Sequence, residues 1–213
     1  MTEKPELNAA YSLKSPDDNK RLYAKWAETY DLEFADHLGY ALPARVANTF
    51  VSVLGCERKG RVLDVGAGTG LVGQRLAVHG FRKIDALDIS IEMLAVAATK
   101  ACYDALIEGD LSAKLVIASN MYDFVISAGT FTHGHVGAAA LDELLRIAKP
   151  GALFCISINS AYFGPAGFEA AFKRLASRIE DIELRPVKFY LEGAMGPHAK
   201  DHGVIVLFRK SMI

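Results

Sequence analysis

The run Val62-Leu63-Asp64-Val65-Gly66-Ala67-Gly68-Thr69-Gly70 constrains this chain more than any other feature. A short apolar segment of strand length meets three glycines in five positions, and a helical pattern follows. Glycines permit the tight strand-to-helix turn and let a ligand approach the backbone with no Cβ in the way. The helix that opens there offers unpaired N–H groups to a carboxylate or phosphate. An ordinary strand-to-helix turn is the plain alternative, and it does not need so many glycines.

The details of the loop select among ligands. A dinucleotide fingerprint requires glycine at the sixth position counted from Gly66. That position is Leu71, and the third glycine comes one place early at Gly70. Asp64 would sit uneasily beside a pyrophosphate, whereas it suits a ligand with a positive group such as an α-ammonium or a sulfonium. The loop therefore favours an aminoacyl nucleoside and speaks against a nicotinamide-dependent oxidoreductase.

Two more acids fall in comparable places. Asp88 closes the apolar run Ile84–Leu87, 22 residues after Gly66, where an acid can accept both hydrogen bonds of a ribose diol. Taken alone, it could equally cap the helix that opens at Ser90. Asp110, in Gly109-Asp110-Leu111, can accept from an adenine amine or serve only as a turn residue. Three acids at the ends of three successive strands, around one glycine loop, describe a nucleoside site.

The rest of the chain alternates strand and helix signals. Arg61–Val65, Ile84–Leu87, Leu106-Ile107, Tyr122–Ser127 and Ala152–Ile158 read as strands, with helices over Thr69–His79, Ser90–Ala101, Val136–Ala148 and Phe168–Ile179. Strands near Ile182–Leu191 and Val204–Arg209 have no helix between them and should form an antiparallel hairpin at one edge. The pattern predicts an α/β fold, a single doubly wound, mostly parallel seven-stranded sheet with helices on both faces. Ahead of it, Ser15 reads as a helix cap, with Pro16, Asp17 and Asp18 in the first turn. Tyr23, Trp26 and Tyr30 then share one face, and a second helix over Leu42–Leu54 stops at Gly55. One domain spans 1–213, with 1–55 as an arm (through Lys14) and helical cap, and 56–213 as a Rossmann-like core.

Composition narrows the function classes. The 213 residues, 51% hydrophobic and 23% charged, suffice for one packed core. Lys and Arg number 24 against 25 acids, a net charge of −1, which leaves no large electrostatic footprint for nucleic acid or an anionic membrane. The first twenty residues lack the apolar stretch of a secretory signal, and no uncharged apolar run approaches the roughly 20 residues that cross a bilayer. Cys56, Cys102 and Cys155 are too scattered for a disulfide framework or zinc knuckle and read as buried, reduced thiols. His133, His135, His198 and His202 lie too far apart along the chain for a metal site to be expected. A soluble, cytoplasmic protein is expected.

With these residues in view, the chain resembles the class I S-adenosylmethionine-dependent methyltransferases. The matching pieces are Asp64-Val65-Gly66-Ala67-Gly68-Thr69-Gly70, Asp88-Ile89-Ser90 with Met93-Leu94, Gly109-Asp110-Leu111, Tyr122-Asp123-Phe124-Val125 and Lys149-Pro150-Gly151-Ala152, in that order. The resemblance covers about Tyr23 to Phe154. More narrowly, Trp26-Ala27-Glu28-Thr29-Tyr30-Asp31 and Gly70-Leu71-Val72 are similar to the methyltransferase-like proteins named for the Williams–Beuren syndrome region. The resemblance implies S-adenosyl-L-methionine as cofactor. Its methionine part would lie on the loop (Asp64, Gly66, Ala67, Gly68, Thr69, Gly70) and its ribose on Asp88, while adenine would meet Asp110 between Ile89 and Leu111. Met93 falls within the matched motif. Ser127, Ala128 and Gly129 would run beneath the cofactor near the methyl group, and Tyr23, Trp26 and Tyr30 would cover it. An aromatic face near a sulfonium contributes about 0.5–2 kcal/mol, although core packing explains these rings as well, Trp26 above all.

The implied chemistry is an in-line displacement in which orientation and desolvation can lower the barrier by about 7–11 kcal/mol, so a dedicated base is optional. His133, in Gly129-Thr130-Phe131-Thr132-His133-Gly134-His135, is the candidate base because it lies closest to the strand end. Histidines there could equally only shape the pocket. His135, Asn159 and Tyr162 are candidate substrate contacts. Neither an Asn/Asp-Pro-Pro-Tyr/Phe tetrapeptide nor a Pro-Cys nucleophile occurs, which counts against nucleic-acid acceptors. A small-molecule methyl acceptor is expected. The competing reading is a non-catalytic partner protein that keeps the same cofactor fold.

Overall fold

The computed structural model describes residues 16–36, 38–195 and 198–212. The N-terminal arm and the Ser15 cap lie outside the described residues. Helix α1 (Pro16–Trp26) begins at the proline expected in its first turn, followed by Asp17 and Asp18. A π-helical turn, Tyr30–Asp36, follows, and then α2 (Leu42–Leu54). The core alternates β1 (Val62–Val65), α3 (Leu71–Val78), β2 (Ile84–Asp88), α4 (Ile91–Thr99), β3 (Ala105–Glu108), β4 (Tyr122–Phe131), α5 (Ala140–Ile147) and β5 (Ala148–Asn159). It ends with α6 (Ser160–Phe163), α7 (Phe168–Arg174), β6 (Ile179–Lys188) and β7 (His202–Lys210).

The seven strands form one sheet in the order β3-β2-β1-β4-β5-β7-β6. β1 to β5 are parallel, and β7 runs antiparallel to both β5 and β6. This is the expected α/β architecture with its edge hairpin. Because side chains alternate across a strand, the two faces separate cleanly. Leu63, Val65, Val125, Phe154 and Ile156 pack under α5 and α7, while Val62, Ile84, Phe124, Ile126 and Cys155 pack under α2 and α3.

Several boundaries differ from the sequence reading for physical reasons. β4 runs four residues past Ser127, through a register irregularity between Ser127 and Phe131. α5 starts at Ala140 rather than Val136, leaving 132–139 as a loop above the sheet. α7 stops at Arg174, and β6 already begins at Ile179. Of the three thiols only Cys155 is buried; Cys56 is exposed and Cys102 intermediate. Among the described residues no helix is long and apolar enough to cross a membrane.

Candidate functional site

β2 holds the glycine loop. Gly66 and Ala67 donate to the Leu87 carbonyl at 2.8 and 3.0 Å, and Gly68 donates to Asp88 Oδ2 at 2.8 Å. The other Asp88 oxygen accepts from the Ser90 N–H at 2.9 Å, while the Ser90 hydroxyl caps α4 by accepting from Met93 N–H. Gly66, Gly68 and Gly70 all have left-handed φ, but for different reasons. A Cβ on Gly66 would stand 2.0 Å from Thr130 Oγ1, and one on Gly70 2.9 Å from the Tyr103 ring. A Cβ on Gly68 would meet no atom within 4 Å, because it would project into a cavity.

That cavity, about 300 Å³, lies along the carboxyl ends of the strands. It straddles the β1/β4 boundary, where the strand order reverses and where ligands of doubly wound sheets bind. One half is walled by Gly66, Gly68, Asp88, Ile89, Met93, Asp110 and Leu111, over β1 to β3. The other half is walled by Ala128, Gly129, Thr130, Thr132, His133, His135, Ser157 and Asn159, over β4 and β5, with Phe189 and Tyr190 from the chain after β6. Burial pushes the Asp88 carboxyl above its ordinary value, against the opposing pull of the Ser90, Gly68 and Ile89 N–H groups. Asp110 also accepts from the Ser112 N–H at 2.7 Å, so the turn role weighed for it is present alongside its place in the wall.

The N-terminal elements cover the cavity and are tied to both halves. Asn19 donates from Nδ2 to the Gly134 carbonyl at 2.8 Å. His135 Nδ1 lies 2.8 Å from the His133 carbonyl, which can only accept, so Nδ1 carries the ring proton. Nε2 is then the acceptor for the Tyr23 hydroxyl, 2.9 Å away. Burial lowers the His135 pKa and favours this neutral form. On the other side, Asp31 of the π-helical turn takes a 2.5 Å hydrogen bond from Thr69 and pairs with Lys100 at 2.6 Å. Tyr23, Trp26 and Tyr30 pack against one another, with ring centroids 5.3–6.3 Å apart.

Some of the sequence candidates lie off the cavity wall. Asp64 is fully buried beneath the loop, where its Oδ2 accepts from Tyr103 at 2.7 Å and from Gly73 N–H at 3.2 Å. The β1 pleat turns its side chain toward α3, and burial raises its pKa to about 7. Thr69 bonds to Asp31 instead of facing the cavity. Ala67 packs with Ala86 and Leu94, and Gly70 makes room for Tyr103. The buried Ser127 hydroxyl bonds to the Val65 carbonyl at 2.8 Å and to Thr130 at 2.9 Å. Trp26 is buried against Met93, as core packing would have it. Tyr162 stands behind His133, its ring centroid 5.0 Å away. His135 does reach the wall, but its ring nitrogens are taken by the Tyr23 hydroxyl and the His133 carbonyl rather than by a ligand.

Asn19, Tyr40, Phe189 and Tyr190 line the cavity without having been singled out. Asn19 could have been found, since it continues the 23/26/30 face by one turn. Tyr40 and Tyr190 meet only because residues 39–42 pair with 189–191, through Ala41 N–H to the Phe189 carbonyl at 2.8 Å and Leu191 N–H to Gly39 at 2.9 Å. Their rings lie 5.6 Å apart, a contact no local pattern announces.

Comparison with known proteins agrees with this geometry. Residues 63–156 match the family described as a methyltransferase domain. The chain is 30% identical over 156 residues to human methyltransferase-like protein 27, covering 72% of this chain and 63% of that protein. It is 32% identical over 153 residues to the demethylmenaquinone methyltransferase of Renibacterium salmoninarum, covering 71% and 63%. The chain thus spans 63% of the length of both relatives. Further relatives are named for malonyl-acyl-carrier protein and for 18S rRNA guanine. The solved structure of the CurJ carbon methyltransferase superposes with a TM-score of 0.64 at 15% identity, covering 93% of this chain and 61% of that one, a likeness of fold. Sequence match, strand order and cavity position agree: residues 63–156 are similar to a methyltransferase domain and the sheet has the α/β methyltransferase fold, for which S-adenosylmethionine is the implied cofactor.

Proposed function

We propose that the protein is an S-adenosylmethionine-dependent methyltransferase that acts on a small-molecule acceptor. The observation that carries the reading is the pairing of Gly68, whose absent side chain leaves the cavity open, with Asp88, whose carboxylate lines the same cavity and is oriented by the backbone N–H groups of Gly68, Ile89 and Ser90. A carboxylate offers about four lone-pair sites, so accepting capacity remains for a ribose hydroxyl. The residues present fit the cofactor. The loop at Gly66 and Gly68 would hold its amino-acid end, Asp88 its ribose, and Ile89, Asp110 and Leu111 its adenine. When bound, the cofactor supplies an electrophilic methyl group on a sulfonium.

The chain's own residues would do the rest. Tyr23 and Tyr30 close over the cavity from the helical cap that precedes the core and exclude water from it. Gly129, at the end of β4, brings backbone to the floor, where its N–H donates to Ser157 Oγ at 3.0 Å. His133, on the wall beyond it, is placed to accept a proton from the acceptor. A cavity covered by its own cap supports a small acceptor over a polymer.

Calorimetric titration with S-adenosylmethionine, S-adenosylhomocysteine and NAD, wild type beside Asp88→Ala, tests the reading. Binding of both adenosyl ligands, weakened roughly tenfold to a hundredfold by loss of charge-assisted hydrogen bonds in the variant, is the expected result. NAD binding alone, or unchanged affinity in Asp88→Ala, would overturn it. Transfer of labelled methyl to RNA but not to small compounds would overturn the small-acceptor part.

A further inference from the structure

The half of the cavity over β4 and β5 has a feature that the cofactor half does not use. Asn159 ends β5 with only 5% of its surface exposed, and it lines the cavity. Its Oδ1 accepts from the Ala161 N–H at 2.9 Å and so caps α6. Because that partner can only donate, the orientation of the amide is fixed, and the other terminal atom is Nδ2, a donor. Among the described residues Nδ2 has no hydrogen-bond partner. That donor borders the open cavity, where a ligand can offer it an acceptor.

The neighbours of that donor have a definite character. Ser157, two residues earlier on the same face of β5, also lines the cavity. Phe189, Tyr190 and Tyr40 supply aromatic walls, with the Tyr40 and Tyr190 rings 5.6 Å apart. Tyr40 Oη is directed at Gly129, where a Cβ would stand 2.7 Å from it. Ser157, Phe189, Tyr190 and Tyr40 are all uncharged, and burial pushes both tyrosine hydroxyls further from ionising. Such walls favour the face of a flat unsaturated ring and penalise a buried carboxylate or phosphate.

We propose that this half of the cavity holds an uncharged aromatic acceptor of the phenol class, its ring between the Tyr40/Tyr190 pair and Phe189 and its hydroxyl oxygen accepting from Asn159 Nδ2. The assignment rests on the methyltransferase reading and narrows it. It separates this chain from acceptors that present a free carboxylate or a phosphate backbone.

The test uses β-naphthol, its saturated counterpart decahydronaphthol and its carboxylated analogue hydroxynaphthoate as probes. Each is titrated into the full-length protein with and without S-adenosylhomocysteine. Wild type is expected to bind β-naphthol, with the saturated and carboxylated probes each weaker by roughly tenfold or more. Asn159→Ser keeps a good helix cap but withdraws the amide donor. It should weaken β-naphthol roughly tenfold and leave S-adenosylhomocysteine affinity unchanged. Equal affinity of the variant for β-naphthol, equal or tighter binding of either comparison probe, or no β-naphthol binding to wild type at millimolar concentration would overturn the proposal. Absence of S-adenosylhomocysteine binding would count against the cofactor reading alone, since the probe titrations without it still report on Asn159.

Discussion

Thr69 of the glycine loop donates a 2.5 Å hydrogen bond to Asp31, 38 residues earlier in the π-helical turn of the cap. The second Asp31 oxygen pairs with Lys100 at 2.6 Å, just beyond the end of α4. One carboxylate thus fastens the aromatic cap to the loop that would carry the cofactor. Lys100 is also well placed against the negative end of the α4 dipole.

Asp31→Ala should cost about 1–2 kcal/mol of stability, the range for hydrogen bonds to a charged group that is partly exposed. Denaturant unfolding would measure the loss. Trp26, the chain's single tryptophan, packs in the cap at 5.3 Å from Tyr30. Its emission should shift toward that of a solvated indole in the variant. Adding Thr69→Val should cost less than its separate effect, because the two side chains share one interaction.

Gly66→Ala and Gly68→Ala should part company. The first places a Cβ 2.0 Å from Thr130 Oγ1 and should destabilise the fold by about 2–4 kcal/mol. The second meets no protein atom and should cost only the left-handed backbone penalty, about 1 kcal/mol. Gly68→Ala should nevertheless lose the larger share of S-adenosylhomocysteine affinity among folded molecules. Thermal melts and calorimetry on both variants separate the two effects.

Asp64 gives the stability a pH slope of unusual sign. Burial raises its pKa from 3.8 to about 7 in the folded chain, so between those values the native state binds more protons than the unfolded state. Stability should therefore fall as pH rises from about 4 to 7, by about 4 kcal/mol at most. Asp64→Asn should flatten that slope. Urea unfolding at a series of pH values checks it, and an unchanged slope would mean that Asp64 is ionised in the fold.

His135 acts in the opposite direction. Burial lowers its pKa below 6.5, so the unfolded state takes up the proton first and stability should fall as pH drops below that value. His135→Gln, which cannot ionise, should remove this acid-side loss. The same urea series on the variant measures it.

His133→Ala should lower turnover by roughly a hundredfold, the lower end of the range for a lost general base, with little change in S-adenosylhomocysteine affinity. Affinity falling while turnover holds would make His133 a pocket wall only.

Local chemistry made much of this protein legible in its sequence. Three glycines after a four-residue strand, Ser90 as the cap of α4 and the lack of a helix between the last two strands all act over a few residues, and the sheet follows from them. The places of Asp88 and Asp110 on the cavity wall were readable because the end of a strand dictates where the residues at and just beyond it go. Only the tertiary structure decided which neighbours the other candidates met. Asp64 sits two residues from Gly66, yet the alternation of side chains along β1 buries it against Tyr103, 39 residues away. His135 follows His133 by two residues, but it is spent on Tyr23, 112 residues earlier. Tyr40, Phe189 and Tyr190 have no shared pattern in sequence, and they form one wall because two distant backbone segments satisfy each other's hydrogen bonds. The periodicity of a chain reports how each element bonds within itself and which face it buries. Which side chain lies across a cavity depends on long-range pairing, and one-dimensional spacing does not record that.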